Sequence, residues 1–389
     1  MNERTSTPEV SAFSIAISDS VLSDLRERLA RTRWPDDAPG SAWQYGTDLA
    51  YLRELCGYWH DHYDWRVHEA RLNAFAQFTT DIEVDGVSQN LHFLHVRSPH
   101  PNALPLIITH GWPGSVYEFH KIIGPLVDPA DPADAFHVVC PSMPGYGFSG
   151  PTTATGWDCS RIARANAMLM ARLGYDRYGA QGGDWGAIVT TWTGAQDPDH
   201  CAGVHVNMVV GGPPDSAHPM AGVTAQEAPD VVAMAAFRDH ETGYQGIQGT
   251  KPQTLAYGLT DSPAGLAGWI VEKFRTWSDC DGDIESRFTK DELLTNIMIY
   301  WVTGTINSST RLYYETIGPS RRKETPKVNV PAGCALFPKE LYRSPRVWAE
   351  STFTNITRWS RFESGGHFAA LEEPAVLVDD VRAFFATVR

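Results

Sequence analysis

Between residues 21 and 29 the apolar side chains Val21, Leu22, Leu25 and Leu29 recur at helical spacing, with Asp24, Arg26, Glu27 and Arg28 on the other faces. This is the pattern of an amphipathic helix, and Pro35 follows its end. A second helical region, from about residue 48 to 78, is rich in aromatics (Tyr51, Tyr58, Trp59, Tyr63, Trp65, Phe75) and predicts an N-terminal layer packed on something larger. The period then changes. Residues 79–84 and 89–96 alternate like strands and flank Asp85-Gly86, a hairpin signal. From there apolar runs at 104–109, 136–140, 178–181, 204–208, 328–337 and 356–362 alternate with helical stretches. That alternation predicts an α/β fold with a mostly parallel sheet and helices on both faces. Pro/Gly-rich loops and helical segments such as 266–277 and 292–303 interrupt the rhythm over 211–326, which reads as an insertion over the sheet's edge, a lid. The division expected is an N-terminal helical extension (1–78), a first core part (79–210), the lid (211–326) and a second core part (327–389).

Composition narrows the partners. A chain of 389 residues with 42% hydrophobic content can bury a large core. Its formal charge of -14 comes without a polybasic run, which argues against nucleic acid, anionic membrane or a polyanionic substrate. Six cysteines (Cys56, Cys140, Cys159, Cys201, Cys280, Cys334) are scattered singly, with neither zinc-site nor disulfide-framework spacing, and read as free thiols. Residues 1–33 hold no signal-type apolar stretch and no run of about 20 apolar residues that would span a bilayer, so a cytoplasmic protein without a membrane anchor is expected.

The strongest chemical signal is Gly182-Gly183-Asp184-Trp185-Gly186, placed after a strand and before the helical stretch 187–196. A side chain projected from so sharp a strand-to-helix turn needs neighbours without Cβ atoms. Glycine and aspartate also dominate ordinary turns, so the motif alone does not decide. Read as an elbow, it carries aspartate where serine is usual. A carboxylate is ionised at neutral pH without a base to activate it, and attack on saturated carbon leaves an ester that water can cleave, where serine would leave a stable ether.

Partners for Asp184 follow in the chain order that such a site requires. Glu340, in Phe337-Pro338-Lys339-Glu340, follows one strand; His367, in Gly365-Gly366-His367-Phe368, follows the last strand and precedes the final helix (374–388). The acid would orient the imidazole. Glu315, Glu363 and Glu372 compete for that role but are less well placed relative to a strand end. His110-Gly111-Trp112-Pro113-Gly114-Ser115 follows the strand at 104–109 and can aim the backbone N–H of Trp112, together with that of Trp185, at a developing oxyanion. Such a donor is typically worth ~3 kcal/mol in the transition state. Two other signals are discounted. Gly145-Tyr146-Gly147-Phe148-Ser149-Gly150 fits a dinucleotide fingerprint, but Pro151 argues against the helix it needs, and residues two apart in His60-Asp61-His62 face different sides of a helix. No cofactor and no metal are expected.

Taken together, these motifs make the chain resemble, over nearly its whole length, the microsomal-type epoxide hydrolases of the α/β-hydrolase superfamily and their soluble microbial relatives. The N-terminal stretch around Ala30-Arg31-Thr32-Arg33-Trp34-Pro35 adds to the likeness. The resemblance implies two acid tyrosines in the lid: Tyr244, in Gly243-Tyr244-Gln245, and Tyr313, in Arg311-Leu312-Tyr313, preferred to Tyr314. It implies an epoxide and water as substrates, with a vicinal diol as product, and the aromatic-rich chain suggests an apolar or aryl epoxide. Both a role in detoxification and one in secondary metabolism stand, and a homo-oligomer is compatible with the chain. A haloalkane dehalogenase uses the same kind of aspartate, but a departing halide needs no proton and gives the tyrosines no task. A non-catalytic ligand-binding protein on the same fold is the third reading.

Overall fold

In the computed structural model, residues 9–319 and 326–389 are described. The first eight residues of the expected extension and residues 320–325 of the expected lid lie outside them. Nine strands form one sheet: β1 (Ser11–Phe13), β2 (Gln77–Val84), β3 (Val87–Val96), β4 (Leu104–Thr109), β5 (Phe136–Pro141), β6 (Tyr178–Gly182), β7 (Cys201–Val206), β8 (Ala332–Leu336) and β9 (Ile356–Arg361). Their order is β1-β2-β3-β5-β4-β6-β7-β8-β9. The first three are antiparallel additions at one edge, and β5 through β9 pair in parallel.

Burial explains the split. β5, β6 and β8 are buried at every residue, as strands covered on both faces must be, whereas β2 alternates toward its end. Alternate residues feed two cores: Ile107, Val139 and Ala180 join the one that continues into the N-terminal and lid helices, and Leu106, Ile108, Val138 and Cys140 join the other, under the helix Pro374–Phe385.

The first expected helix is Asp19–Ala30. The second region divides into Leu49–Asp61 and Trp65–Asn73, capped by the Asp48 and Asp64 side chains, and gives way to β2 at Gln77. The extension therefore supplies strand as well as helix. It also reaches the stretch expected to be a lid: Thr47 Oγ1 donates to the Gly268 carbonyl at 2.6 Å, Tyr58 Oη to Asp291 Oδ1 at 2.9 Å, and Tyr63 Oη lies 3.0 Å from Thr295 Oγ1. Six helices run through the 211–319 stretch, among them Gly243–Thr250, Pro263–Trp277, Lys290–Thr303 and Ile306–Ile317. All six cysteines are free and buried, and among the described residues no helix is long and apolar enough to cross a membrane.

Candidate active site

The loops after β4, β6, β8 and β9 all leave the carboxyl ends of parallel strands, where side chains from separate parts of the chain converge. β6 ends at Gly182, and the helix Trp185–Gln196 begins three residues later. Asp184 takes the turn at φ 53° and ψ -130°, a conformation most L-residues avoid. The helix start is wedged against β4 and β6. A Cβ on Gly186 would lie 1.8 Å from the Thr109 carbonyl oxygen, and one on Gly182 would lie 2.2 Å from that of Gly186. No other residue fits, so the motif serves the elbow rather than a plain turn.

The Asp184 carboxylate has three neighbours. Its Oδ1 accepts the Trp112 N–H at 2.8 Å and rests against Gly111, where a Cβ would come within 2.2 Å. Its Oδ2 is 3.2 Å from His367 Nε2. On the far side of the imidazole, Nδ1 is 2.8 Å from Glu340 Oε1, which also accepts the Leu341 N–H at 2.6 Å. Asp184, His367 and Glu340 thus form one line of contacts. Burial alone would depress the imidazole, but the Glu340 and Asp184 carboxylates outweigh it and hold its pKa well above the ordinary histidine value.

The histidine loop is fastened to the lid. The His367 N–H donates to the Trp277 carbonyl at 2.9 Å, and the Gly365 N–H donates to Asp279 Oδ2 at 2.9 Å. Glu372 accepts both the Phe368 and the Asp279 N–H, and burial pushes its carboxyl up to about 7. Arg287 ties Asp279 to Glu373. Glu372 therefore braces the loop, while Glu363 is exposed and Glu315 sits in the lid helix Ile306–Ile317.

Tyr244 and Tyr313 come from different lid helices to face one another, ring centres 5.8 Å apart. Tyr313 stands edge-on to Trp185 at 4.7 Å and to Trp112 at 5.7 Å; Tyr244 stacks on Trp112 at 5.5 Å. Its neighbour Tyr314 is 38% exposed. Burial, reinforced by the Asp184 charge, pushes the Tyr244 phenol far above its usual range; burial, Tyr244 and Asp184 do the same for Tyr313. Both rings therefore carry their protons throughout the physiological range. Lys273 stands over the Tyr244 ring at 4.6 Å. Trp185 opens its helix, whose first N–H groups have no partners within the helix.

The discounted motifs have other roles. Gly147–Ser149 is a short 3-10 turn, no helix starts before Cys159, and the segment holds the lid: the Gly145 carbonyl accepts from Ser308 Oγ at 2.5 Å and Thr305 Oγ1 accepts the Gly147 N–H at 3.1 Å. His60 pairs with Asp61 at 2.5 Å on an exposed face. Among the described residues no cluster of three His, Cys, Asp or Glu side chains could hold a metal ion. The sequence reading passed over Glu118, Gln181 and Asn207, which share a cavity with Asp184 and His367. Only Glu118 left a trace, as a lone acid in an otherwise apolar run after the His110 motif.

Comparison with known proteins identifies the family. Residues 10–119 match the family described as "Epoxide hydrolase N terminus", and residues 105–233 match "alpha/beta hydrolase fold". A Stigmatella aurantiaca protein provisionally named an epoxide hydrolase is 45% identical over 98% of this chain and 86% of its own. Epoxide hydrolase 1 of Sus scrofa is 37% identical over 96% of this chain and 87% of its own. The crystal structure of juvenile hormone epoxide hydrolase from the silkworm Bombyx mori superposes with a TM-score of 0.90 at 31% identity, covering 100% of this chain and 96% of that one. With an α/β sheet, an N-terminal region and a full-length match all of that kind, the chain is an enzyme that belongs to the epoxide hydrolases of the α/β-hydrolase superfamily.

Proposed function

We propose that the protein converts an apolar or aryl epoxide and water to a vicinal diol through a covalent ester on Asp184. The observation that carries this reading is the continuous Asp184–His367–Glu340 contact line lying opposite two buried, protonated tyrosines. Asp184 attacks one ring carbon, the carbon–oxygen bond opens, and Tyr244 or Tyr313 passes its proton to the departing oxygen. The pKa of His367 supplies the switch to the second step. In the free enzyme two carboxylates sustain the imidazolium. Ester formation removes the charge of Asp184, so the imidazole loses one of its two supporting charges and releases its proton, which restores the phenol. Neutral His367, still held by Glu340, then takes a proton from water as the water oxygen attacks the Asp184 carbonyl carbon. The N–H groups of Trp112 and Trp185 hold the oxyanion, which collapses as the diol leaves with the proton from His367.

The aromatic rings of Trp112, Trp185, Trp277 and the two tyrosines, packed against one another, favour an apolar or aromatic substituent on the epoxide. One turnover in heavy-oxygen water tests the covalent route: the isotope is expected first in the Asp184 carboxyl, and its direct entry into the first diol would refute the ester. Replacing both tyrosines by phenylalanine is expected to lower kcat/KM on an aryl epoxide by about 10³-fold, with a smaller loss for either single change. Halide release from a haloalkane that survived the double change would instead favour dehalogenation.

A further inference from the structure

A second carboxyl reaches the chamber beneath Asp184. Glu118 belongs to the 3-10 turn Val116–Phe119, and its Oε1 fills the volume beside Gly114, where a Cβ would lie 1.3 Å away. Asp184 fills the equivalent volume beside Gly111. The two glycines of the His110 motif thus admit one carboxyl each. The lid fixes the turn that carries Glu118: Ser115 Oγ donates to Asn296 Oδ1 at 2.8 Å, Asn296 Nδ2 to the Pro113 carbonyl at 2.7 Å, and Tyr300 Oη to the Gly114 carbonyl at 2.5 Å. Glu118, Asp184, His367, Gln181 and Asn207 line one small cavity, with room for about one water molecule.

We propose that Glu118 is a positioning residue for the second step, holding from the opposite wall the water that His367 deprotonates. The inference rests on the covalent reading given above. In that step a water O–H bond breaks, its proton goes to His367 Nε2 and the oxygen bonds to the Asp184 carbonyl carbon. The Glu118 carboxyl keeps its own proton and orients the water by hydrogen bonding. The groups facing it are consistent with a neutral acid. Burial pushes its pKa up to about 8, His367 opposes the shift, Asp184 adds to it, and the backbone at Ser115 opposes it; the phenol of Tyr300 faces it from the lid. Once ionised, Glu118 would place a second negative charge beside the forming oxyanion and slow ester hydrolysis.

Rapid-quench mass measurement with an aryl epoxide, following ester formation and ester decay separately, tests this. Glu118→Ala is expected to form the ester at the wild-type rate and to hydrolyse it at least about 10-fold more slowly. Glu118→Gln is expected to keep a near wild-type decay rate at neutral pH and to lose the decline that the wild type shows at alkaline pH as Glu118 ionises. Unchanged decay in Glu118→Ala, or equal slowing of formation and decay, would overturn the assignment while leaving the ester mechanism intact. If Glu118→Ala does not fold, Glu118→Gln decides, because a persisting alkaline decline overturns it equally. Absence of any ester in the wild type would overturn the covalent reading and this proposal with it.

Discussion

Asp184→Asn is expected to abolish diol formation, lowering kcat by about 10⁴-fold or more, because a neutral amide is a poor nucleophile. The substitution is close to a pure chemical probe. Asparagine matches the shape, its Oδ1 can still accept the Trp112 N–H at the elbow, and it is among the few residues that tolerate positive φ at the turn. Folding should therefore be preserved, with a Tm near that of the wild type. The contact with His367 changes more, because an amide sustains an imidazolium less well than a carboxylate, so the histidine should titrate at lower pH in the variant. Steady-state product formation, with intact mass to exclude deamidation, checks the outcome; wild-type turnover in deamidation-free protein would mean that the nucleophile lies elsewhere.

The second large effect is expected from His367→Gln, and it differs in kind. In the proposed mechanism the first step uses Asp184 and the lid tyrosines, so the ester should still form. The second step loses its base, and hydrolysis should slow by about 10³-fold. The protein would then gain the mass of one substrate molecule, and product formation would stop after a stoichiometric burst. Normal release of diol from this variant would place the base on another side chain. Comparing the two substitutions separates attack from deacylation, which a loss of overall activity alone cannot do.

How much of this was legible depends on the local signal. The expected strand at 104–109 is β4 residue for residue, because a strand buried on both faces leaves an unbroken apolar run. The run expected at 328–337 contracts to Ala332–Leu336. Pro331 has no N–H to donate to a ladder, and Val328 bridges instead to Phe353. β1 has three residues and no period to detect. Asp184, Glu340 and His367 were readable because each follows a strand in an order the fold demands. The tyrosines were not readable from pattern: a tyrosine in a lid helix resembles any packing residue, and only the likeness to a family singled out Tyr244 and Tyr313. Glu118 belongs to a third class. It stands apart as an acid between Tyr117 and Phe119, but its meaning emerges only when the turn brings it against Gly114.

The bonds between the lid and the histidine loop restrict how substrate can enter. Trp277 ends the helix Pro263–Trp277 and holds the backbone of His367, while Asp279 just beyond it holds Gly365. A cap that lifted from this corner would drag the His367 backbone with it and leave Asp184 facing an unaligned ring. This corner is therefore expected to stay seated while ligands exchange, keeping His367 in register with Asp184.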